Sequence, residues 1–356
     1  MNDILKRCLE DLEARLIPET EEELLREWID FTEGRFIGNV FTPERGIRSQ
    51  PQVEWPVVRT NETLDCMDKM ALQQYGVCSK RLEEGNGAPL AVRSNYGTSI
   101  IPLLFGVEPF VMPEETDTLP TSVPLHDTAA IERLIKAGMP DLQAGFGARV
   151  FEAGRLYVEI GKTYPKIGKY VKIFHPDQQG PLDICEVIWG SDIFLAIYDA
   201  PQLVKALLEL VTDTYIAFMR EWTKITPFDA IGNVHWDVFH GGSIMLRNDS
   251  SMNISPAQYD EFARPYDEKL LMECGGGAVH FCGRGDHYIS SMCGIAGLRA
   301  VNLSQPEYND MEVIFTNAVD RGINILDLDR KAVESALESG RDLRGRVHCR
   351  EKLATG

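Results

Sequence analysis

The sequence predicts an α/β fold, a (β/α)8 or TIM barrel with an N-terminal helical extension. From about residue 90, short β-rich runs alternate with longer segments of helical period, which is typical of parallel β/α architecture. No glycine-rich GxGxxG follows a predicted strand, which argues against a dinucleotide-binding sheet and for a closed barrel. At 356 residues the chain is long enough for such a barrel. We expect a helical extension over 1–89, packed on a barrel over 90–356.

The first ninety residues are predicted to form helices and loops. Thr20 with Glu23 matches a capping box. It precedes an amphipathic helix whose apolar face carries Leu24, Leu25, Trp28 and Phe31. A second helix is predicted near NETLDCMDKMALQQYG. The intervening stretch VFTPERGIRSQPQVEWP is rich in proline and charge and predicts a long surface segment or lid.

Seven short runs have the composition of barrel strands. Each is rich in β-branched or aromatic residues and is bounded by turn formers or helical segments. They are LAVRSNY (90–96), YVKIFH (170–175), DAIGNVHW (229–236), AVHFC (278–282), RAVNLS (299–304), INILDLD (323–329) and RVHC (346–349). We expect the eighth strand within 104–113.

The helices between these strands carry start and stop signals of their own. N-terminal caps are predicted from polar side chains that precede apolar periodicity, and C-terminal caps from glycine. The predicted starts are Asp199, Ser255-Pro256 with Gln258, and Asn309 with Glu312, and the predicted stops are Gly275 and Gly322.

Composition and charge exclude several classes of protein. The net charge is −18 and no basic cluster is present, so nucleic acid is not expected as a partner. No apolar run reaches the length of a membrane span, and the start MNDILKRCLEDLEARL lacks the apolar segment of a signal peptide. Eight scattered cysteines without an export signal predict free thiols in a reducing cytoplasm.

Polar side chains stand at the ends of nearly all the predicted strands. In a β/α barrel the chemistry lies at the C-terminal ends of the strands, so these positions are candidates for binding or catalysis. The candidates are Asn95, Tyr96, His175, Asp177, His235, Asp237, His240, His280, Cys282, Asn302, Gln305, Asp327, Asp329, His348 and Cys349.

The stretch GGAVHFCGRGDHYI predicts a metal site. Residues two apart in a strand point to the same face, so His280 and Cys282 would both project into the barrel mouth. Imidazole and thiolate are ligands that zinc favours, and a catalytic zinc site uses three protein ligands. Cys349, at the end of the last strand, is the predicted third ligand. The alternative is an ordinary buried strand, which is the more common meaning of an isolated H-x-C.

Structural alternatives also exist for the other candidates. For Asp327 and Asp329, a structural role in capping the following helix or pairing with Arg330 is as consistent with the sequence as a role in the site. His175 and His235 are equally consistent with hydrogen-bonded core histidines.

The helix NISPAQYDEFARPYDEKLL followed by the strand AVHFCG resembles the uroporphyrinogen decarboxylase superfamily. Within it, the chain is more similar to the zinc-dependent methylcobamide:coenzyme M methyltransferases than to the decarboxylases. The resemblance covers most of the chain from about residue 90 and implies a TIM barrel with a helical extension. The arginine-bearing P-x-W-x-M-R-Q-A-G-R motif of the decarboxylases is missing, and ERGIRSQPQVEW does not replace it.

The resemblance implies His280, Cys282 and Cys349 as the zinc ligands. It implies methyl transfer from a corrinoid on a partner protein to a small thiol or similar acceptor. Positions expected to bind substrate are Asn95, Tyr96, His175, Glu186, His235, Asp237, His240, Asn302 and Asp327, with Glu186 as a temporary fourth ligand. The alternatives are a decarboxylase or lyase for a carboxylated ring, held by Asp237 or Arg93, and a non-catalytic barrel that binds a corrinoid or tetrapyrrole.

Overall fold

A six-stranded parallel sheet forms the centre of the protein in the computed structural model, which describes residues 1–351. In spatial order its strands are β1 (Val40–Phe41), β12 (Val347–His348), β11 (Asn324–Leu326), β10 (Leu298–Leu303), β9 (Gly277–Phe281) and β8 (Ile244–Arg247). A parallel pair is formed by β2 (Ala91–Val92) and β5 (Lys172–Ile173). Two antiparallel hairpins are formed by β3 (Glu108–Phe110) with β4 (Thr121–Val123), and by β6 (Asn233–His235) with β7 (Val238–His240).

Helices follow most of the strands and cover the outside of the sheet. Those before β2 are α1 (Asp3–Arg15), α2 (Pro18–Thr32), α3 (Thr60–Thr63) and α4 (Met67–Glu84). Those between β2 and β6 are α5 (Ile100–Leu104), α6 (Thr128–Ala137), α7 (Gly147–Thr163), α8 (Pro165–Tyr170), α9 (Pro181–Trp189), α10 (Ile193–Asp199) and α11 (Pro201–Thr223). The later ones are α12 (Pro256–Phe262), α13 (Arg264–Cys274), α14 (Ile289–Met292), α15 (Met311–Asn317) and α16 (Arg330–Glu338), with short 3₁₀ turns at Ser250–Asn253, Pro306–Tyr308 and Val319–Arg321.

The predicted α/β class is confirmed, and six of the seven predicted strands coincide with β2, β5, β9, β10, β11 and β12. The run 229–236 behaves differently, because only 233–235 is extended and it pairs antiparallel with β7. The strand that pairs with β9 in its place is β8, whose register sets Arg247 opposite His280. The region 104–113 forms β3, which pairs with β4 outside the sheet, so the eighth strand was wrongly placed.

The segment before residue 90 also contributes to the sheet. Val40 pairs with Val347 and Phe41 with His348, so β1 forms the edge next to β12. This strand lies inside the stretch that the proline content predicted to be a surface segment. Among the described residues, the hydrogen bonds leave β2 and β5 as a pair separate from the six-stranded sheet. These hydrogen bonds alone therefore do not show that the strands form a closed barrel.

The smaller of two hydrophobic clusters in the described part of the chain joins side chains from many of these strands. It contains Trp28 from α2 and inward side chains from the strands or their ends, namely Phe41, Ala91, Phe174, Val234, Met245, Ala278, Ala300 and Leu326. A larger cluster lies between the strands and the helices. Alternate side chains of a strand point to opposite faces, so β1, β2 and β8 to β11 contribute to both clusters.

Some helix termini follow the predicted signals. Ser255 and Gln258 form the capping box of α12, and Gly275 ends α13 in the left-handed conformation. The predicted helix 256–274 is divided at Ala263, because Pro265 cannot donate the hydrogen bond that a continuous helix requires. The capping box at Thr20 was wrong, since α2 already begins at Pro18.

Two further helix starts differ by a single residue from those predicted. Asp310, and not Asn309, caps α15, while Ala200, and not Asp199, is the N-cap of α11. Among the described residues no helix has both the length and the apolar character that a membrane crossing requires.

Candidate metal centre

His280 and Cys282 meet at the C-terminal end of β9. The alternation of side chains along the strand sends both to the same side, as predicted. Nε2 of His280 lies 3.3 Å from Sγ of Cys282. The imidazole is buried, while the thiol is partly accessible. An imidazole and a thiol at this separation offer two ligand atoms to one ion.

The hydrogen bonds of Asn302 determine the tautomer of His280. Nδ2 of Asn302 donates to the backbone oxygen of Leu326 at 2.6 Å, so Oδ1 of Asn302 must be the acceptor that faces the imidazole. Nδ1 of His280 lies 2.5 Å from that oxygen and therefore carries the proton. In the neutral imidazole the proton therefore stays on Nδ1, and Nε2 is the nitrogen that a metal ion can bind once it replaces the second proton, as in metal-binding histidines generally.

Asp249 is the third member of this group and was missed in the sequence. Its Oδ1 lies 3.4 Å from Nε2 of His280 and accepts a hydrogen bond from the backbone nitrogen of Cys282 at 3.1 Å. The ligand atoms of Asp249, His280 and Cys282 all lie within 4.8 Å of one another. The signal that could have identified Asp249 is the run SIMLRND, in which an apolar strand ends in polar residues.

The electrostatics of this group favour a cation at its centre. Burial lowers the pKa of His280, but the hydrogen bonds with Asp249 and Cys282 outweigh it and raise this pKa to about 9. Burial raises the pKa of Asp249, and the contact with His280 outweighs it and lowers this pKa to about 2. The group therefore prefers a positive charge between its imidazole, carboxylate and thiol.

The group opens into a cavity of about 530 Å³. Cys282, Asn302, Asp327, Asp329 and Cys349 line it together with His280, so the structure brings five other predicted residues to the cavity at His280. Sγ of Cys349 lies 3.4 Å from the backbone oxygen of Glu351 and is not part of the three-residue group. Its role as third ligand stays a prediction. Asp329 lines the cavity and also caps α16, by accepting from the backbone nitrogens of Lys331 and Ala332.

The tip of the β6–β7 hairpin borders this cavity. The ring of Trp236 lies 5.0 Å from that of His280, edge to face, and Arg247 lies over the same indole at 5.4 Å. Asp237 contacts Arg81 and lies 2.8 Å from Nη1 of Arg350. Charged contacts thus connect the hairpin to α4 and to the chain after β12.

A second cavity, of about 480 Å³, lies on the other side of Trp236. Asn95 and Asp237, both predicted as substrate-binding residues, line it together with Arg93. Arg93 donates to Asp177 at 2.6 Å. Asp177 also accepts from Nε1 of Trp236 at 3.1 Å.

Three predicted histidines are buried and do not line either cavity. Nε2 of His175 accepts from the backbone nitrogen of Met245, His235 lies 3.4 Å from Asp177, and Nδ1 of His240 contacts the backbone oxygen of Gly241. Burial lowers the pKa of His175 to about 3 and those of His235 and His240 to about 4. Neutral, buried imidazoles fit the alternative given above for His175 and His235, that they are core histidines.

Two other predicted positions lie outside both cavities. Tyr96 is buried against Phe146, with its hydroxyl 3.8 Å from Sδ of Met67, and burial raises its pKa. Glu186, in α9, contacts the hydroxyl of Ser250, the neighbour of Asp249. Substrate binding by these two residues stays a prediction.

Comparison with known proteins shows similarity at the level of the fold. No family model matches the sequence, and no curated protein matches it. Among solved structures, a methyltransferase from Methanosarcina mazei superimposes with a TM-score of 0.62 at 16% identity, covering 93% of each chain. The chain therefore has the overall fold of that methyltransferase over nearly its whole length.

Proposed function

We propose that this protein is a zinc-dependent methyltransferase, which moves a methyl group from a corrinoid carried by a partner protein to a small thiol. The observation that carries the proposal is the convergence of His280 and Cys282 on one point at the edge of a cavity. The fold shared with a methyltransferase supports it. The eight cysteines are all free thiols, which fits a reducing cytoplasm.

The residues present fit zinc. The neutral imidazole of His280 offers Nε2, Cys282 supplies sulfur, and Cys349 lies in the same cavity wall. Asp249 is an additional oxygen donor next to Nε2. When bound, zinc supplies the lowered thiol pKa that yields a thiolate at neutral pH. The methyl group passes to the acceptor sulfur, the thiol proton is released, and the electron pair of the broken bond stays with the carrier.

The chain's own residues would orient the acceptor. Asn302 holds the imidazole of His280 in the tautomer described above. Trp236 and Arg247 form a flat wall beside it, held through Asp177. A cavity of about 530 Å³ suits a small molecule. Asp237 and His240 were expected to assist. Asp237 lines the second cavity, and His240 lines neither.

We also propose that the strands close into the (β/α)8 barrel that the sequence predicts. The parallel strands would be β1, β2, β5 and β8 to β12, with the β6–β7 hairpin inserted before β8. Support comes from the inner hydrophobic cluster, to which Phe41, Ala91, Phe174 and Met245 belong together. In a barrel these inward side chains fill a common interior.

Elemental analysis and an activity assay test the proposal. Purified wild type should contain one zinc per chain and should methylate a small thiol with methylcobalamin as donor. His280→Ala should lose both the metal and the activity, while Asn317→Ala, on α15 and outside the lining of both cavities, should keep both. The proposal would be overturned if purified wild type contained no zinc, or if its methyl transfer continued after the metal was removed with a chelator. Metal-independent release of carbon dioxide from a carboxylated ring would instead favour the decarboxylase.

A further inference from the structure

The cavity on the far side of Trp236 has the features of a binding site. Six of its ten lining residues are polar or charged. The lining consists of Gln73, Gln74, Val77, Arg81, Ala91, Arg93, Asn95, Phe174, Trp236 and Asp237. Trp236 belongs to this cavity and to the cavity at His280. The two cavities are therefore neighbours that share the indole as a common wall.

The backbone of Trp236 indicates that the indole is needed at this place. Its φ is +50°, at the first position of a two-residue hairpin turn. That position usually carries glycine, because side chains make a positive φ costly. A bulky residue persists in such a conformation when its surroundings hold it there, and this occurs mostly at functional sites. Asp177 and Arg247 hold the indole in place here.

A chain of hydrogen bonds identifies the unpaired atom of Asn95. The backbone nitrogen of Arg93 donates to Oε1 of Gln74, so the amide of Gln74 donates through Nε2 to Oε1 of Gln73. Because that oxygen is an acceptor, Asn95 must approach it with Nδ2, at 3.1 Å. Oδ1 of Asn95 is then buried without a hydrogen-bond partner. A buried acceptor of this kind requires a donor.

The charges of this cavity balance. The two cations, Arg81 and Arg93, are paired with Asp237 and Asp177 respectively. These carboxylates also contact Arg350 and Arg247, and those two cations have carboxylates of their own in Asp327 and Asp249. A ligand here therefore meets hydrogen-bond donors from the guanidinium groups without a net positive charge. A carboxylate would find no uncompensated cation, and it could not donate to Oδ1 of Asn95. A primary carboxamide has both the N–H and the carbonyl oxygen that these groups require.

We propose that the Asn95 cavity is a second subsite, which binds an uncharged primary carboxamide on the substrate whose reacting end lies at His280 and Cys282. The inference rests on the proposed function, in which the methyl donor is a corrinoid. A corrin ring carries several primary carboxamides on its edge. One of them would enter the Asn95 cavity while the centre of the ring faces the cavity at His280. Asn95 accepts the amide N–H, and Arg93 donates to the carbonyl.

The test compares two uncharged corrins that differ in their side chains. Dicyanocobinamide has primary carboxamides, and the heptamethyl ester of dicyanocobyrinic acid has acceptors without N–H donors. Isothermal titration calorimetry of wild type should show about tenfold tighter binding of the amide, the size expected for one buried hydrogen bond. Asn95→Ala should reduce this preference to about twofold or less, whereas Val77→Ala, in the same lining, should leave it at about tenfold.

The outcomes separate the subsite from the proposed function. Equal binding of the two corrins by wild type would overturn the subsite, and this measurement needs no mutant. A preference that persists in a folded Asn95→Ala would overturn it as well. If wild type prefers the amide but has neither zinc nor methyl transfer, the subsite stands and the proposed function fails. If methyl transfer proceeds without any preference, only the subsite fails.

Discussion

Nδ1 of His280 lies 2.5 Å from Oδ1 of Asn302, and this contact turns Nε2 towards Cys282. Asn302 stands opposite His280 in the register between β9 and β10, so the sheet itself aligns the two residues. The asparagine in turn is anchored to Leu326 of β11. Three neighbouring strands thus determine the direction of a single imidazole.

Asn302→Leu should weaken zinc binding by roughly 10–100-fold, because the imidazole loses the acceptor that sets its tautomer and orientation. Competition with a chromophoric chelator measures the affinity. Asn302→Asp, which keeps an acceptor oxygen, should lose less. The role given to Asn302 would be wrong if the leucine variant bound zinc as tightly as wild type.

The third zinc ligand can be identified from two substitutions. Losing a residue that only hydrogen-bonds to a metal ligand typically reduces metal affinity by roughly 10–100-fold. Because Cys349 is the predicted ligand itself, Cys349→Ser should reduce zinc affinity by more than this. Asp249→Asn should cause the smaller loss, since the amide still offers an oxygen to the backbone nitrogen of Cys282. Metal content by plasma emission spectrometry and affinity by chelator competition are the measurements. The reverse order of losses would identify Asp249 as the ligand.

Asp267 should make the protein less stable as the pH rises. Burial raises its pKa to about 7 in the folded protein, against an ordinary value of 3.8, and the hydrogen bond from Asn248 only partly offsets this. The contribution of this group to stability is therefore complete below about pH 4 and is lost as the pH rises through 7.

Asp267→Asn removes this titration while keeping an oxygen that can accept from Asn248. The stability of the variant relative to wild type should increase by on the order of 2 kcal/mol between pH 5.5 and pH 8. Urea denaturation at both pH values measures it. A stability difference that does not change with pH would contradict this account of Asp267.

Gly277 is required for the pairing of β8 with β9. A Cβ at this position would lie 1.8 Å from the backbone oxygen of Ile244, so the strands would have to separate. Gly277→Ala should destabilise the protein by about 3 kcal/mol or more, as expected for overpacking in a core.

Gly76→Ala is the matched control, because its Cβ would lie 3.6 Å from Trp55, an ordinary contact, within helix α4. It should be neutral or stabilise by about 0.5–1 kcal/mol. Thermal unfolding of both variants gives the comparison. Equal effects of the two substitutions would show that β8 can move away from β9 at little cost.

Much of the site could be predicted because its signals are local. His280 and Cys282 share one strand, and the alternation of a strand places them on the same side wherever that strand lies. The strand β9 was identifiable from its apolar run and from the glycines before it. The capping box at Ser255 was predictable for the same reason, since all its contacts lie within one turn of helix.

The errors occurred where distant segments compete for one position. The run 229–236 has the composition of a barrel strand, but it folds back into a hairpin, and β8 takes the place next to β9. Strand β1 lies in a proline-rich stretch, and only its pairing with β12 makes it extended. Propensity does not decide such cases, because a strand's stability depends mostly on its neighbours.

By itself, the sequence determined the α/β class, most of the parallel strands and the pair His280–Cys282, because these depend on periodicity within a few residues. Only the tertiary structure brought Asp249 beside His280, oriented the imidazole through Asn302, and set Trp236 between two cavities. Those relationships join segments far apart in the chain. They depend on strand register and on which buried polar groups find partners, and both are decided when the strands pack together.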